Sequence, residues 1–266
     1  MKTKSLVIPF LVSAGALFMA LYNPSEAKAY SVTFNGRTAG NPSGQPLRDI
    51  GLHSGDIGRT LDPTIWSLSA GTSNDGGETL TQSILGRAVI TVLDLTKDVL
   101  KLQFDISNLT DSSYQAAITG LWFGVTPDAT GANFNSSGQT FDAVRVDPDG
   151  NAPGGFKNID ICIYATKNCE GGKIGDGLQA GESDSFIVSI FGNFGVYNPD
   201  GTYSRSAVTI SDLGTKWQTE DGSYQVAGVP EPMTILGSGA ALGFGAIMKR
   251  RAAKGNSKKD EEKAVV

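Results

Sequence analysis

Leu100, Leu102, Phe104 and Ile106 alternate with Lys101, Gln103, Asp105 and Ser107. Successive side chains of an extended strand point to opposite faces, so this pattern describes a strand with one apolar face and one wet face. A helix over the same residues would scatter the apolar set around its axis. Residues 88–95 form a second predicted strand, and Thr96-Lys97-Asp98 is short enough to close a hairpin between the two. Further strands are predicted over 118–125, 141–146, 159–164, 186–191, 207–210 and 224–226. Turn residues stand in the gaps: Thr126-Pro127-Asp128, Asp147-Pro148-Asp149-Gly150, Asn198-Pro199-Asp200-Gly201 and Glu220-Asp221-Gly222. No helical period intervenes. The expected fold is all-β, an antiparallel β-sandwich of jelly-roll or immunoglobulin-like type. Glycine, 34 of 266 residues without a three-residue period, excludes collagen and supplies the turns such a fold needs.

The strand pattern is confined between two apolar segments. Residues 30–232 carry 12 Lys+Arg against 23 Asp+Glu, net −11, while residues 1–29 carry net +2 and 233–266 net +4, giving −5 overall. A body this acidic repels phosphate backbones, so nucleic acid is not an expected partner.

The N-terminus has the plan of a secretory signal. Lys2 and Lys4 precede an apolar run that opens with Leu6-Val7-Ile8, and Asn23-Pro24-Ser25 breaks it before Ala27-Lys28-Ala29. Small residues at Ala27 and Ala29 place signal-peptidase cleavage before Tyr30, after export through Sec; an uncleaved anchor helix is the alternative. Cys162 and Cys169 enclose six residues, and one cysteine pair in an exported domain reads most simply as a local disulfide. Free thiols and a metal site are the alternatives. A zinc site needs two more ligands, which the single histidine, His53, cannot supply.

At the other end, Val229-Pro230-Glu231-Pro232 is followed by the mostly apolar segment 233–248 and then by Lys249-Arg250-Arg251. A helix over that segment would span about 24 Å, short of the ~30 Å hydrocarbon core of a bilayer. The basic cluster would stop transfer and stay in the cytoplasm, leaving the body on the far side. This order of motif, helix and basic cluster resembles the PEP-CTERM sorting signal. The resemblance implies that an integral-membrane exosortase, a cysteine peptidase, removes the tail near the motif during export. It also implies an association with the exopolysaccharide and biofilm matrices of Gram-negative bacteria. The segment Thr234-Ile235-Leu236-Gly237-Ser238-Gly239 is similar to cyanobacterial members. Residues 252–266 depart from the pattern and read as a disordered charged extension. The expected organisation is therefore a signal peptide (1–29), an exported β body (30–228), the sorting signal (229–251) and the tail (252–266).

Within the body, Cys162 and Cys169 with Gly171-Gly172, the run from Gly177 to Phe186, and Lys216-Trp217-Gln218-Thr219 resemble the cyanobacterial cistern group of PEP-CTERM proteins. Gly120-Leu121-Trp122-Phe123 fits the same group. The resemblance lends no catalytic residue.

A search for chemistry yields little. His53-Ser54-Gly55-Asp56 contains the residue types of a hydrolytic triad, but triad members converge from separated segments, and four consecutive residues do not. No catalytic residue, enzymatic activity or cofactor is expected. Asp147, Asp149 and Asn151 have the opening spacing of a calcium loop, yet Ala152 and Asn158 stand where an EF-hand needs Gly and Glu, leaving a weak candidate at most. Trp66, Trp122 and Trp217, with Tyr114 and Tyr197, would stack on sugar rings if exposed and coplanar; aromatics among apolar neighbours, as at Trp122, are ordinarily core. Two functions remain as expectations: a structural or interaction protein of the envelope or extracellular matrix, and a carbohydrate-binding, lectin-like module presented at the same place to extracellular polysaccharide.

Overall fold

The computed structural model describes residues 30–38, 46–152, 154–165, 168–169 and 171–230. The expected signal peptide with Ala27 and Ala29, motif residues Glu231 and Pro232, segment 233–248, Lys249-Arg250-Arg251 and the charged tail lie outside the described residues.

In chain order the strands are β1 (Ser31–Thr38), β2 (Pro46–His53), β3 (Thr64–Leu68), β4 (Ile84–Leu95), β5 (Val99–Asn108), β6 (Ala116–Thr126), β7 (Ala129–Ser136) and β8 (Ala143–Ala152). They continue with β9 (Phe156–Tyr164), β10 (Leu178–Gln179), β11 (Ser183–Gly192), β12 (Gly195–Tyr197), β13 (Tyr203–Thr219), β14 (Gly222–Ala227) and β15 (Val229–Pro230). Short 3-10 turns cover Ser54–Asp56 and Ile174–Asp176, and no α-helix occurs among the described residues. The strands make two antiparallel sheets. One runs β1-β2-β13-β6-β9-β8, with β10 added to β6 and β12 and β14 to β13; the other runs β15-β3-β4-β5-β11-β7.

The all-β class expected from the alternation is what forms. Burial alternates along the whole of β5, and β4 and β5 pair across the predicted Thr96–Asp98 reversal. Leu100, Leu102, Phe104 and Ile106 enter one hydrophobic core shared by both sheets. Phe104 stacks on Phe186 of β11 in its own sheet at 5.2 Å, and on Phe123 of β6 in the other sheet at 5.8 Å. Burying such a side chain contributes roughly 1.5–3 kcal/mol.

Strand β6 is buried on both faces from Ala116 to Val125. Its outward Trp122 heads a second, smaller cluster with Phe156, Ile159, Cys162 and Ala227. Phe156 meets Trp122 edge-on at 5.2 Å. Cys162 on β9 and Cys169 beyond it are bridged, with Cα atoms 6.0 Å apart. Closing so small a ring is worth roughly 2–2.5 kcal/mol in the chain-entropy account. The double variant Cys162→Ser/Cys169→Ser should lose about that much in chemical denaturation. Unreduced protein should also be about 2 Da lighter than reduced protein; two alkylatable thiols before reduction would contradict the bridge.

One expectation is corrected here. Asp147-Pro148-Asp149-Gly150 is not a reversal. It lies within β8, whose register against β9 slips between Val146 and Gly150, so the residues form a bulge. Strand β8 is a sheet edge, where a bulge and a proline without an N–H are tolerated. The reversal into β9 runs through Gly154 and Gly155, both at positive φ. Directly after Gly228, Val229 and Pro230 form β15, at the edge of the second sheet.

Candidate functional site

Val229 and Pro230, where the expected sorting motif begins, belong to the folded body. Val229 pairs with Ile65 and Pro230 with Thr64 on β3. The Gly228 N–H donates to the Leu213 carbonyl at 2.8 Å. A Cβ on Gly228 would lie 2.3 Å from Thr64 Cγ2 and 3.1 Å from the Leu213 carbonyl oxygen, so only glycine passes this point. Strand β15 therefore ties the chain to the body without slack up to Pro230. At the other end Tyr30, the expected first mature residue, is tied in through its hydroxyl, which accepts the Asp62 N–H at 2.6 Å. Among the described residues no helix is long and apolar enough to cross a membrane; segment 233–248 lies outside them.

The tryptophans do not form a ligand platform. Trp66, Trp122 and Trp217 are each 0% exposed. Tyr114 is buried as well, and its hydroxyl donates to Asp221 Oδ2 at 2.6 Å. Alternation along one strand shows which side chains face away from the core, but not what later folds over them. Tyr197 and Tyr203 are half exposed, yet their rings meet edge-on at 6.0 Å and 74°, not coplanar.

Asp221 forms a polar clip at the β13–β14 reversal. Besides the Tyr114 hydroxyl, its Oδ2 accepts the Thr81 N–H and the Thr81 hydroxyl, each at 2.7 Å. These bonds, Tyr114's foremost, hold its carboxyl below the usual carboxylate value. Tyr114 is pushed up to about 12, by burial first and by the neighbouring carboxylate next. A carboxylate whose pKa is depressed on folding contributes stability that is present above its unfolded value and is lost as pH falls through its folded value. Asp221→Asn should therefore lower the melting temperature at neutral pH and narrow its gap to wild type at the acid end. Melting curves from pH 7 down to pH 2 check this, and a constant gap would remove the role of the charge.

His53 and Asp56 do come together, as a local cap and not as a catalytic pair. The Asp56 carboxylate, fully buried, accepts the His53 N–H at 2.9 Å, and His53 Nδ1 accepts the Gly55 N–H at 3.1 Å. Arg59 Nε approaches Asp56 at 3.6 Å. Of the calcium candidates, Asp147 receives the Arg145 guanidinium at 2.5 Å and Asn151 is exposed, while the Asp149 side chain lies outside the description. Arg145 thus already supplies a cation to Asp147. Among the described residues no three His, Cys, Asp or Glu side chains are grouped to hold a metal.

One surface feature has no local signature in the sequence. On the outer face of the first sheet, Ser31, Gly51, Thr209 and Thr126 stand directly opposite one another across β1, β2, β13 and β6. His53 and Ala207 form the next row. The intervening Ile50, Leu52, Val208 and Ile210 face the core. Small residues keep this floor low: a Cβ on Gly51 would lie 2.5 Å from Ser31 Oγ. Strand β12 rises as one wall through Gly195 and Val196, with Arg205 beside it, and the trough encloses about 390 Å³. The residues come from strands more than 170 positions apart, so only their pairing creates the trough.

No known protein family, curated protein or solved structure matches the chain.

Proposed function

We propose that the chain is an exported protein of the cell envelope or extracellular matrix. On this reading it passes through Sec, loses a signal peptide, and is released from a transient inner-membrane form by an exosortase. Its role is structural or interactive, within an exopolysaccharide or biofilm matrix, and no catalytic step is assigned to it. One observation carries the reading: Pro230-Glu231-Pro232, the apolar segment 233–248 and Lys249-Arg250-Arg251 follow in order directly behind a disulfide-bonded, all-β body. The bridge suits an oxidising compartment. Two antiparallel sheets around one core support a β-sandwich of jelly-roll or immunoglobulin-like type for the body.

Cell fractionation of otherwise matched hosts with and without an exosortase tests the processing. The protein should move from the inner membrane to the outer envelope or matrix only where the peptidase is present; an unchanged distribution would overturn the reading. The trough favours a second reading, a carbohydrate-binding module presented at the same place, because the hydroxyl side chains of Ser31, Thr126 and Thr209 line it together with Arg205.

A further inference from the structure

We propose that the trough on the outer face of β1, β2, β13 and β6 binds a carboxylate-bearing sugar chain, with Arg205 as the carboxylate anchor. The proposal rests on the glycan-binding reading and is independent of tail processing.

The charge argument comes first. Residues 30–232 carry net −11, yet the ionisable side chains among the described residues lining the trough are His53 and Arg205, both cationic types. His53 shares the buried Asp56 carboxylate with Arg59, so the uncompensated positive charge belongs to Arg205. Arg205 is exposed and makes no ion pair with any described residue. A guanidinium presents a planar fork of donors that matches a carboxylate with two parallel hydrogen bonds. On an acidic body, such a cation marks the place where an anionic ligand is accepted instead of repelled.

The floor decides between a sugar chain and a peptide. Strands β2 and β13 are paired on both sides, so their backbone groups are already used. Over the floor itself an extended peptide would find no free backbone partner; the open edges are those of β1 and β12. The floor instead offers the hydroxyls of Ser31, Thr126 and Thr209, which donate and accept as sugar hydroxyls do.

Isothermal titration of the exported protein, purified from envelope fractions, tests this with three probes at low salt. These are a hexamer of α-1,4-linked galacturonic acid, its fully methyl-esterified neutral counterpart, and hexaglutamate. The uronate should bind more tightly than its neutral ester and more tightly than hexaglutamate, and its affinity should fall as salt rises. Arg205→Gln should weaken uronate binding about tenfold and leave the ester unchanged, while Arg205→Lys should restore part of the loss. Ala207→Leu, which fills the floor, should abolish binding of both sugars with an unchanged circular dichroism spectrum. Equal affinity for uronate and ester, untouched by Arg205→Gln, would overturn the anchor while leaving a glycan-binding module. Binding of hexaglutamate as tight as uronate would overturn the choice of ligand class. No binding of either sugar would overturn the proposal and the glycan reading together.

Discussion

Protein recovered from the envelope is expected to end between Pro230 and Pro232, lacking Lys249 to Val266. The apolar segment 233–248 would span about 24 Å as a helix, roughly 6 Å short of a hydrocarbon core. Such a span would hold a chain marginally, and on the proposed reading its partner anchor would be the Lys249-Arg250-Arg251 cluster on the cytoplasmic side. The structure adds a constraint from the other side. Pairing of Val229 and Pro230 with β3, and the close passage at Gly228, hold the body directly against the motif. On the proposed reading, the chain following Pro230 would run from the folded body to a membrane face, where a membrane-embedded peptidase would meet it. Replacing Pro230 and Pro232 with Ala should leave a membrane-retained form that keeps residues 233–266. C-terminal mass spectrometry decides the matter. Tail peptides at full stoichiometry in wild-type material would identify a plain C-terminal anchor and remove the main support for a matrix role.

The second large effect is on stability. Trp217→Ala should cost roughly 3–5 kcal/mol, the range for deleting a fully buried large aromatic. Against a typical total of 5–15 kcal/mol for a domain, that is enough to leave much of the chain unfolded under mild stress. Trp217 is 0% exposed, and its Cζ2 lies 2.8 Å from where a Cβ on Gly86 would stand, so the ring is packed onto the opposite sheet. Its Nε1 donates to Thr215 Oγ1 at 3.0 Å, satisfying the polar edge inside the core. Tyr197→Ala, at a half-exposed position on β12, should change stability by only about 0.5 kcal/mol. Equilibrium urea denaturation of the two variants beside wild type measures both. A Trp217→Ala protein as stable as wild type would contradict the packing account.

Much of the fold was open to reading from local pattern. The β class, the hairpin around Thr96–Asp98 and the core face of β5 follow from side-chain period and turn chemistry, which act over a few residues. The disulfide followed from the count of cysteines and the expected compartment. Strand β13 shows where this reading stops. It runs for 17 residues through Lys216 and Gln218, yet a strand was expected over only 207–210. Its polar positions are held by pairing to β6, with β2 along its first half and β14 along its second. Cross-strand partners can keep a polar sequence extended, and no residue within the strand announces them.

The same division governs function. The sequence by itself determined the alternating strands, the acidic body and the order of motif, apolar segment and basic cluster at the C-terminus, because each is a property of neighbouring residues. Tertiary structure alone decided that the three tryptophans are core, that Val229 and Pro230 belong to a sheet, and that Ser31, Gly51, Thr209 and Thr126 line up beside Arg205. The physical reason is that burial, edge pairing and a shared sheet face depend on which distant strands hydrogen-bond in which register. A shift of one residue would turn every one of those side chains to the opposite face.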